Sequence, residues 1–254
     1  MQAEAIRPPS PLLLLAEGRA LFEIGSLAFA GPLLATAPKG DGHPVLVLPG
    51  LGASDGSTVA LRRYLEGRGY ETHAWELGRN LGLRGGTLEK LLARLDGIHA
   101  ASGRKVSLVG WSLGGVFARE LAKLRPDIVR QVISLGSPFA GDPRANNAWR
   151  IYEFFSDHPV DQPPIQTSLA EPPPVPTTSI YSRTDGIVSW RSCQNEPGDR
   201  IENIEVESSH VGMGFNAAVL FAVADRLAQA EGEWTPFDRS GARGCIYKDP
   251  ARAH

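Results

Sequence analysis

Hydrophobic positions along the chain fall into two alternating periods. Short apolar runs, VLVLPG from Val45, KVSLVG from Lys105 and QVISLGS from Gln131, read as buried strands. Between them lie stretches with helical spacing. These are STVALRRYLEGRG from Ser57; LEKLLARLDGIHAAS, in which Leu88, Leu91, Leu92, Leu95 and Ile98 recur on one face; and LGGVFARELAKL, with Phe117, Leu121 and Leu124 on one face. YETHAWEL from Tyr70 adds a strand, so the order over residues 44–137 is β-α-β-α-β-α-β. Such alternation predicts an α/β fold: a mainly parallel sheet of about six strands with helices on both faces, its functional groups gathered at the carboxyl ends of the strands.

The periodicity stops at about 139 and resumes at about 176. Within this stretch DQPPIQTSLAEPPPVP carries six prolines, and Trp149, Tyr152, Phe154 and Phe155 supply aromatic bulk. An insertion of that length in a compact fold predicts a cap or lid over a binding site. Beyond it, TTSIYS from Thr177 reads as a strand, and NIEVES from Asn203, with Ile204 and Val206 alternating with Glu205 and Glu207, as a half-exposed edge strand. NAAVLFAVADRLAQ from Asn216 predicts a last helix covering the sheet.

The N-terminal stretch PLLLLAEGRALFEIGSLAFAGPLLATA resembles a secretory leader only superficially. Arg7 is its one preceding basic residue, and Glu17, Arg19 and Glu23 interrupt the apolar run, so it has neither a clean signal core nor the length of a membrane span. It predicts an amphipathic helical segment over about 11–36, with Leu14, Leu21, Phe22 and Leu27 packed on the domain rather than on a bilayer. The expected location is the cytoplasm, or outside the cell where a leader has been removed.

A length of 254 residues suits one domain with a sizeable core. A net charge of −2 with scattered basic residues argues against a nucleic-acid partner. Cys193 and Cys245 are too few and too far apart for a zinc or redox motif, and no metal or cofactor site is indicated; the pair is compatible with a disulfide or with two reduced thiols.

The candidate chemistry centres on GWSLGGVFARE, where Ser112 sits between a buried strand and an apolar helix with Gly110 and Gly114 two positions to either side. Glycines at those positions permit a sharp strand-to-helix turn that exposes the serine hydroxyl above the positive end of the helix. A serine needs a base to take its proton, and an imidazole titrates in the right range. Of six histidines, His210 directly follows a late strand and sits beside Ser208, Ser209 and Gly212. An acid must orient that imidazole. Asp185, at a strand end and followed by Gly186 for a turn, is placed to do so, with Asp157 and Asp161 as weaker rivals. Backbone N–H groups of Leu113, after the serine, and Leu51, in the LPGLGAS loop after an early strand, are the candidate oxyanion donors.

Together LPGLGAS, GWSLGG, SRTDGIVSW and SSHVGMGFN make the sequence resemble the α/β-hydrolase superfamily, and within it bacterial lipases and esterases of the triacylglycerol-lipase type, from about Pro44 to near Leu227. The resemblance implies a Ser–His–Asp triad in the chain order Ser112, Asp185, His210, an acyl-enzyme intermediate, no cofactor, and a small-molecule or lipid ester substrate. The cap aromatics with the apolar Leu51 and Leu113 suggest an apolar acyl group, and contact with a lipid interface stays open. One departure is Pro49, where many members carry histidine before the glycine equivalent to Gly50. The alternatives are an acyltransferase on the same triad and a non-catalytic ligand-binding homologue. A dinucleotide-binding layout, with Gly50, Gly52 and Gly56 followed by Glu76, fits less well. Its third glycine is displaced, Pro49 crowds the turn, and it leaves Ser112 and His210 unexplained.

Overall fold

The computed structural model describes residues 6–141, 147 and 168–249. Six strands form one sheet: β1 (Pro44–Leu48), β2 (Glu71–Ala74), β3 (Val106–Trp111), β4 (Val129–Leu135), β5 (Thr177–Tyr181) and β6 (Ile201–Glu205). They lie in the order β2-β1-β3-β4-β5-β6, and every neighbouring pair is parallel. The predicted α/β architecture is therefore the one observed.

Burial on both faces explains the continuous apolar runs. Alternate residues of β1 enter opposite layers: Val45 and Val47 join the core beneath the last helix, and Leu46 and Leu48 the core on the other face. The first layer is closed by helix α4 (Val59–Gly67) through Leu61 and Leu65, and by helix α7 (Ala217–Leu227) through Val219, Leu220, Phe221, Val223 and Leu227. The second is closed by α5 (Thr87–Ser102) through Leu91, Leu95 and Ile98, and by α6 (Leu113–Leu124) through Phe117 and Leu121. Each such buried side chain contributes roughly 1.5–3 kcal/mol relative to exposure. Asn216 starts α7 sharply, its side-chain oxygen accepting from the N–H groups of Ala218 and Val219.

The strand order places the site. The chain passes from β1 outward to β2 and returns to β3 on the other side of β1, so connections leave the carboxyl ends of β1 and β3 in opposite directions. A crevice opens where that reversal occurs. The loop Pro49–Gly52 and Ser112 both lie there.

Three expectations are corrected. The N-terminal segment is not one helix but three short ones, α1 (Pro11–Leu15), α2 (Ala20–Ser26) and α3 (Gly31–Ala35), joined by 3-10 turns. Its docked face is also the opposite of the predicted one. Leu21 and Phe22 are 78% and 79% exposed and Leu14 is exposed too, and only Leu27 of the named residues packs against the core. Glu17, Arg19 and Glu23 face the domain instead, because its loops offer them hydrogen-bonding partners. Among the described residues no helix is long and apolar enough to cross a membrane. The third correction concerns β6. It is an edge strand, but its two glutamates are buried on opposite faces. Glu205 lies against Tyr181 and Arg183 and pairs through its backbone with Lys248 of the C-terminal tail, Glu202, on the face of Ile204, lies against Arg226 and the Phe237 N–H, and Glu207, past the strand end, stays exposed.

Most of the insertion at about 139–176 lies outside the described residues, including Trp149, Tyr152, Phe154, Phe155, Asp157 and Asp161. Its described ends are anchored. The N–H groups of Phe139 and Ala140 donate to the Ser192 carbonyl, and the buried Arg119 guanidinium donates to the carbonyls of Ala170 and Glu171. Both cysteines are free thiols, Cys193 buried and Cys245 exposed.

Candidate active site

Ser112 joins β3 to α6 with φ 53° and ψ −122°, a left-handed conformation that costs an L-residue on the order of 1–3 kcal/mol. The surrounding packing enforces it. A Cβ on Gly110 would land on the Gly114 carbonyl, and a Cβ on Gly114 would land on the Leu48 carbonyl, so α6 lies against the ends of β1 and β3 only with glycine at both positions. The Ser112 N–H donates to the Leu135 carbonyl at 2.8 Å, holding the turn against the end of β4.

Asp185 and His210 come from the loops after β5 and β6. The His210 Nδ1–H donates to Asp185 Oδ2 at 2.6 Å, while Asp185 Oδ1 accepts from the N–H groups of Ile187 and Val188 at 2.8 and 2.7 Å. Both residues are buried. The backbone donors fix the carboxylate and the carboxylate fixes the imidazole tautomer, leaving the Nε2 lone pair free to accept a proton. Burial alone would depress the His210 pKa; the charge and hydrogen bond of Asp185, with a further contribution from Glu17, outweigh it and leave the imidazole above its ordinary value.

The serine and histidine regions are tied together directly. The Trp111 indole N–H, one residue before Ser112, donates to the His210 carbonyl at 3.1 Å. Gly136, the residue after β4, lies beneath the pair: a Cβ there would sit 3.1 Å from His210 Nδ1 and 3.2 Å from Asp185 Oδ2. On the other side, a Cβ on Gly50 would be 3.3 Å from the Ser112 Cβ, so the Leu51 loop adjoins the serine. As the first residue of α6, Leu113 has no intrahelical acceptor for its N–H.

No protein-family model matches the sequence. By structure the chain is similar to Aspergillus fumigatus lipase B, with a TM-score of 0.58 and 19% identity over 78% of this chain and 55% of that one. It is also similar to a pyrethroid hydrolase from Sphingobium faniae JZ-2, with a TM-score of 0.53 and 20% identity over 73% and 97% of the two chains. An alpha/beta superfamily hydrolase from Oenococcus oeni PSU-1 gives 0.53 and 18% over 72% and 91%. The match thus spans little more than half the length of the Aspergillus lipase. The chain has the α/β-hydrolase fold.

Elsewhere in this α/β-hydrolase fold a hydrogen-bonded Ser107–His43–Asp41 group shows which features distinguish the candidate site. His43 Nδ1 lies 2.5 Å from Asp41 Oδ1, and its Nε2 lies 2.8 Å from Ser107 Oγ. His43 and Ser107 are fully buried at the amino ends of β1 and β3, and Ser107 lies within β3 with no positive φ. Burial, reinforced by Arg130 and Arg104 and opposed by Asp41, lowers the His43 pKa to about 4. This neutral imidazole braces the bottom of the sheet. A half-buried position on a strained turn at the carboxyl end of β3 sets Ser112 apart. Glu76, the acid of the dinucleotide alternative, is ion-paired to Arg94 at 2.7 Å.

Sequence reasoning left Asn80 without a role. In the hydrolase fold it is completely buried behind the Leu51 loop, donating from Nδ2 to the Pro49 carbonyl at 2.8 Å; its backbone N–H donates to Ala53 and its carbonyl accepts from Gly52, each at 2.7 Å. A polar residue in GRN, just past a strand end, was the available signal. Asn80→Ala is expected to lower unfolding free energy by about 1–3 kcal/mol, because the buried Pro49 carbonyl loses its donor. Urea denaturation checks this, and an unchanged midpoint would show that the loop holds without the side chain.

Proposed function

We propose that this protein is a serine carboxylester hydrolase. The observation that carries the reading is the His210–Asp185 hydrogen bond, in a loop tethered through Trp111 to the strained Ser112 turn. Chemically, His210 Nε2 removes the Ser112 hydroxyl proton as Oγ attacks the ester carbonyl, and the tetrahedral oxyanion is received by the N–H groups of Leu51 and Leu113. The imidazolium then protonates the departing alcohol. The acyl-enzyme is resolved when His210 activates water, with Asp185 stabilising the charged imidazole in both halves. The partly buried side chains of Leu51 and Leu113 beside the serine support an ester with an apolar acyl group, from a small molecule or a lipid.

The test is release of p-nitrophenol from short-chain and long-chain esters, with labelling of Ser112 by a fluorophosphonate probe. Turnover with labelling is expected, and the ratio of the two esters separates esterase from lipase preference. Neither turnover nor labelling would overturn the reading. The pH dependence has a definite sign. The base works only when neutral, and its pKa is raised, so kcat/KM is expected to fall on acidification with a midpoint above the ordinary histidine value of about 6.5. An acid limb in the carboxylate range, measured over a pH series, would exclude His210 as the base.

A further inference from the structure

The N-terminal segment carries three charged side chains toward the Asp185 and His210 loops, and their contacts form one pattern. Glu17, only 9% exposed, places one carboxylate across both loops. Its Oε1 accepts from the Gly186 N–H at 2.7 Å and the His210 N–H at 2.9 Å, and its Oε2 from the Val211 N–H at 2.9 Å. Glu23 holds the residue before the histidine. It accepts from the Ser209 N–H and hydroxyl, each at 2.8 Å, and from the Ser208 hydroxyl at 3.4 Å. Arg19 donates from Nη2 to the carbonyl and hydroxyl of Thr184, the residue before Asp185, at 2.8 Å each.

Two glycines beside the pair are accounted for by the same contact. Gly186 follows Asp185, yet its backbone is outside the left-handed region, so a turn does not explain it. A Cβ there would collide with the Leu13 carbonyl. A Cβ on Gly212, two residues after His210, would overlap the Glu23 carboxylate. Both positions lack a side chain where the N-terminal segment lies against them.

We propose that the N-terminal helical segment is a clamp on the acid and base loops, with Glu17 as the positioning residue that sets where His210 sits relative to Asp185. Because it bonds the backbone of both loops at once, Glu17 adds a tie from outside to the direct Asp185–His210, Thr184–Ser208 and Ser182–Ser208 bonds between them. Its negative charge also favours the imidazolium. The charged groups facing His210 are Asp185 from the β5 loop and Glu17 from the clamp; Glu23 and Arg19 act one residue removed, on Ser209 and Thr184. A purely structural brace would affect folding stability without altering the titration of a buried imidazole.

The clamp rests on the serine-hydrolase reading for its effect on turnover, and an NMR titration of the His210 imidazole tests it without any substrate. Glu17→Gln keeps an oxygen for Gly186 and His210, loses the charge and turns an amide donor toward the Val211 N–H; Glu17→Ala removes all three acceptor contacts. The imidazole midpoint is expected to move to lower pH in Glu17→Gln and further in Glu17→Ala. kcat is expected to drop on the order of tenfold or more in Glu17→Ala and less in Glu17→Gln, with KM within about twofold, as befits a misplaced base rather than lost binding. An imidazole midpoint in Glu17→Gln equal to that of the wild type would overturn the clamp, even if thermal stability falls. Should the wild type hydrolyse no ester, the functional reading fails and the NMR titration still decides the clamp.

Discussion

Replacing Ser112 by alanine is expected to lower kcat for p-nitrophenyl ester hydrolysis by about four to six orders of magnitude while leaving the protein folded. The magnitude follows from the proposed roles: with no nucleophilic oxygen, His210 has no proton to take and the oxyanion donors have no tetrahedral adduct to stabilise. Folding is retained because the hydroxyl has no part in holding the turn. The turn rests on the Ser112 N–H bond to Leu135 and on the close approach allowed by Gly110 and Gly114. Alanine retains the Cβ and therefore the strain at φ 53°, so its melting temperature should stay near that of the wild type. Ser112→Gly relieves that strain and should unfold at a higher temperature. Circular dichroism melts beside the kinetic assay check both statements, and substantial turnover by a pure Ser112→Ala preparation would remove the serine from the mechanism.

Asp185→Asn is expected to cost about three to four orders of magnitude in kcat, more than the loss of one charge suggests. The reason lies in the carboxylate's fixed orientation. Oδ1 accepts from the Ile187 and Val188 N–H groups, so an asparagine must keep its oxygen on that side and turn its NH2 toward His210 Nδ1. A donor facing Nδ1 forces the imidazole proton onto Nε2, which then has no lone pair for the Ser112 hydroxyl. Asp185→Ala leaves the tautomer free but gives up the charge that stabilises the imidazolium. Reduced rather than abolished activity is expected in both, since the serine and the oxyanion donors persist. Activity within about tenfold of wild type in Asp185→Asn would show that another group orients His210.

Much of this arrangement is legible in the chain. Strands β1, β3, β4 and β5 are each announced by a run with β-branched and apolar residues, because burial on both faces leaves no polar alternation to read. Helix α6 follows from the spacing of Phe117 and Leu121, and the elbow from two glycines whose absent Cβ atoms are the condition for α6 to pack. The order of Ser112, Asp185 and His210, each following a predicted strand, was likewise visible. Harder to see was the direction of the N-terminal helices. An apolar stripe normally faces the core, yet Leu21 and Phe22 point outward, because Glu17, Arg19 and Glu23 find better partners in the loops than solvent provides. The edge strand was misjudged for a related reason: the alternation of Glu205 with Ile204 is real, but Tyr181, Arg183 and the C-terminal tail bury Glu205.

By itself, then, the sequence determined the local elements, their α/β order and the strained serine turn, because these depend on residues a few positions apart. Tertiary structure alone decided that His43 bonds Ser107 at the amino ends of the strands while His210 and Asp185 meet at the carboxyl ends, what Asn80 braces and what Glu17 holds. Those choices depend on chain closure: Glu17 meets donors 169 to 194 positions away, and a pattern read along the chain contains no distance between them.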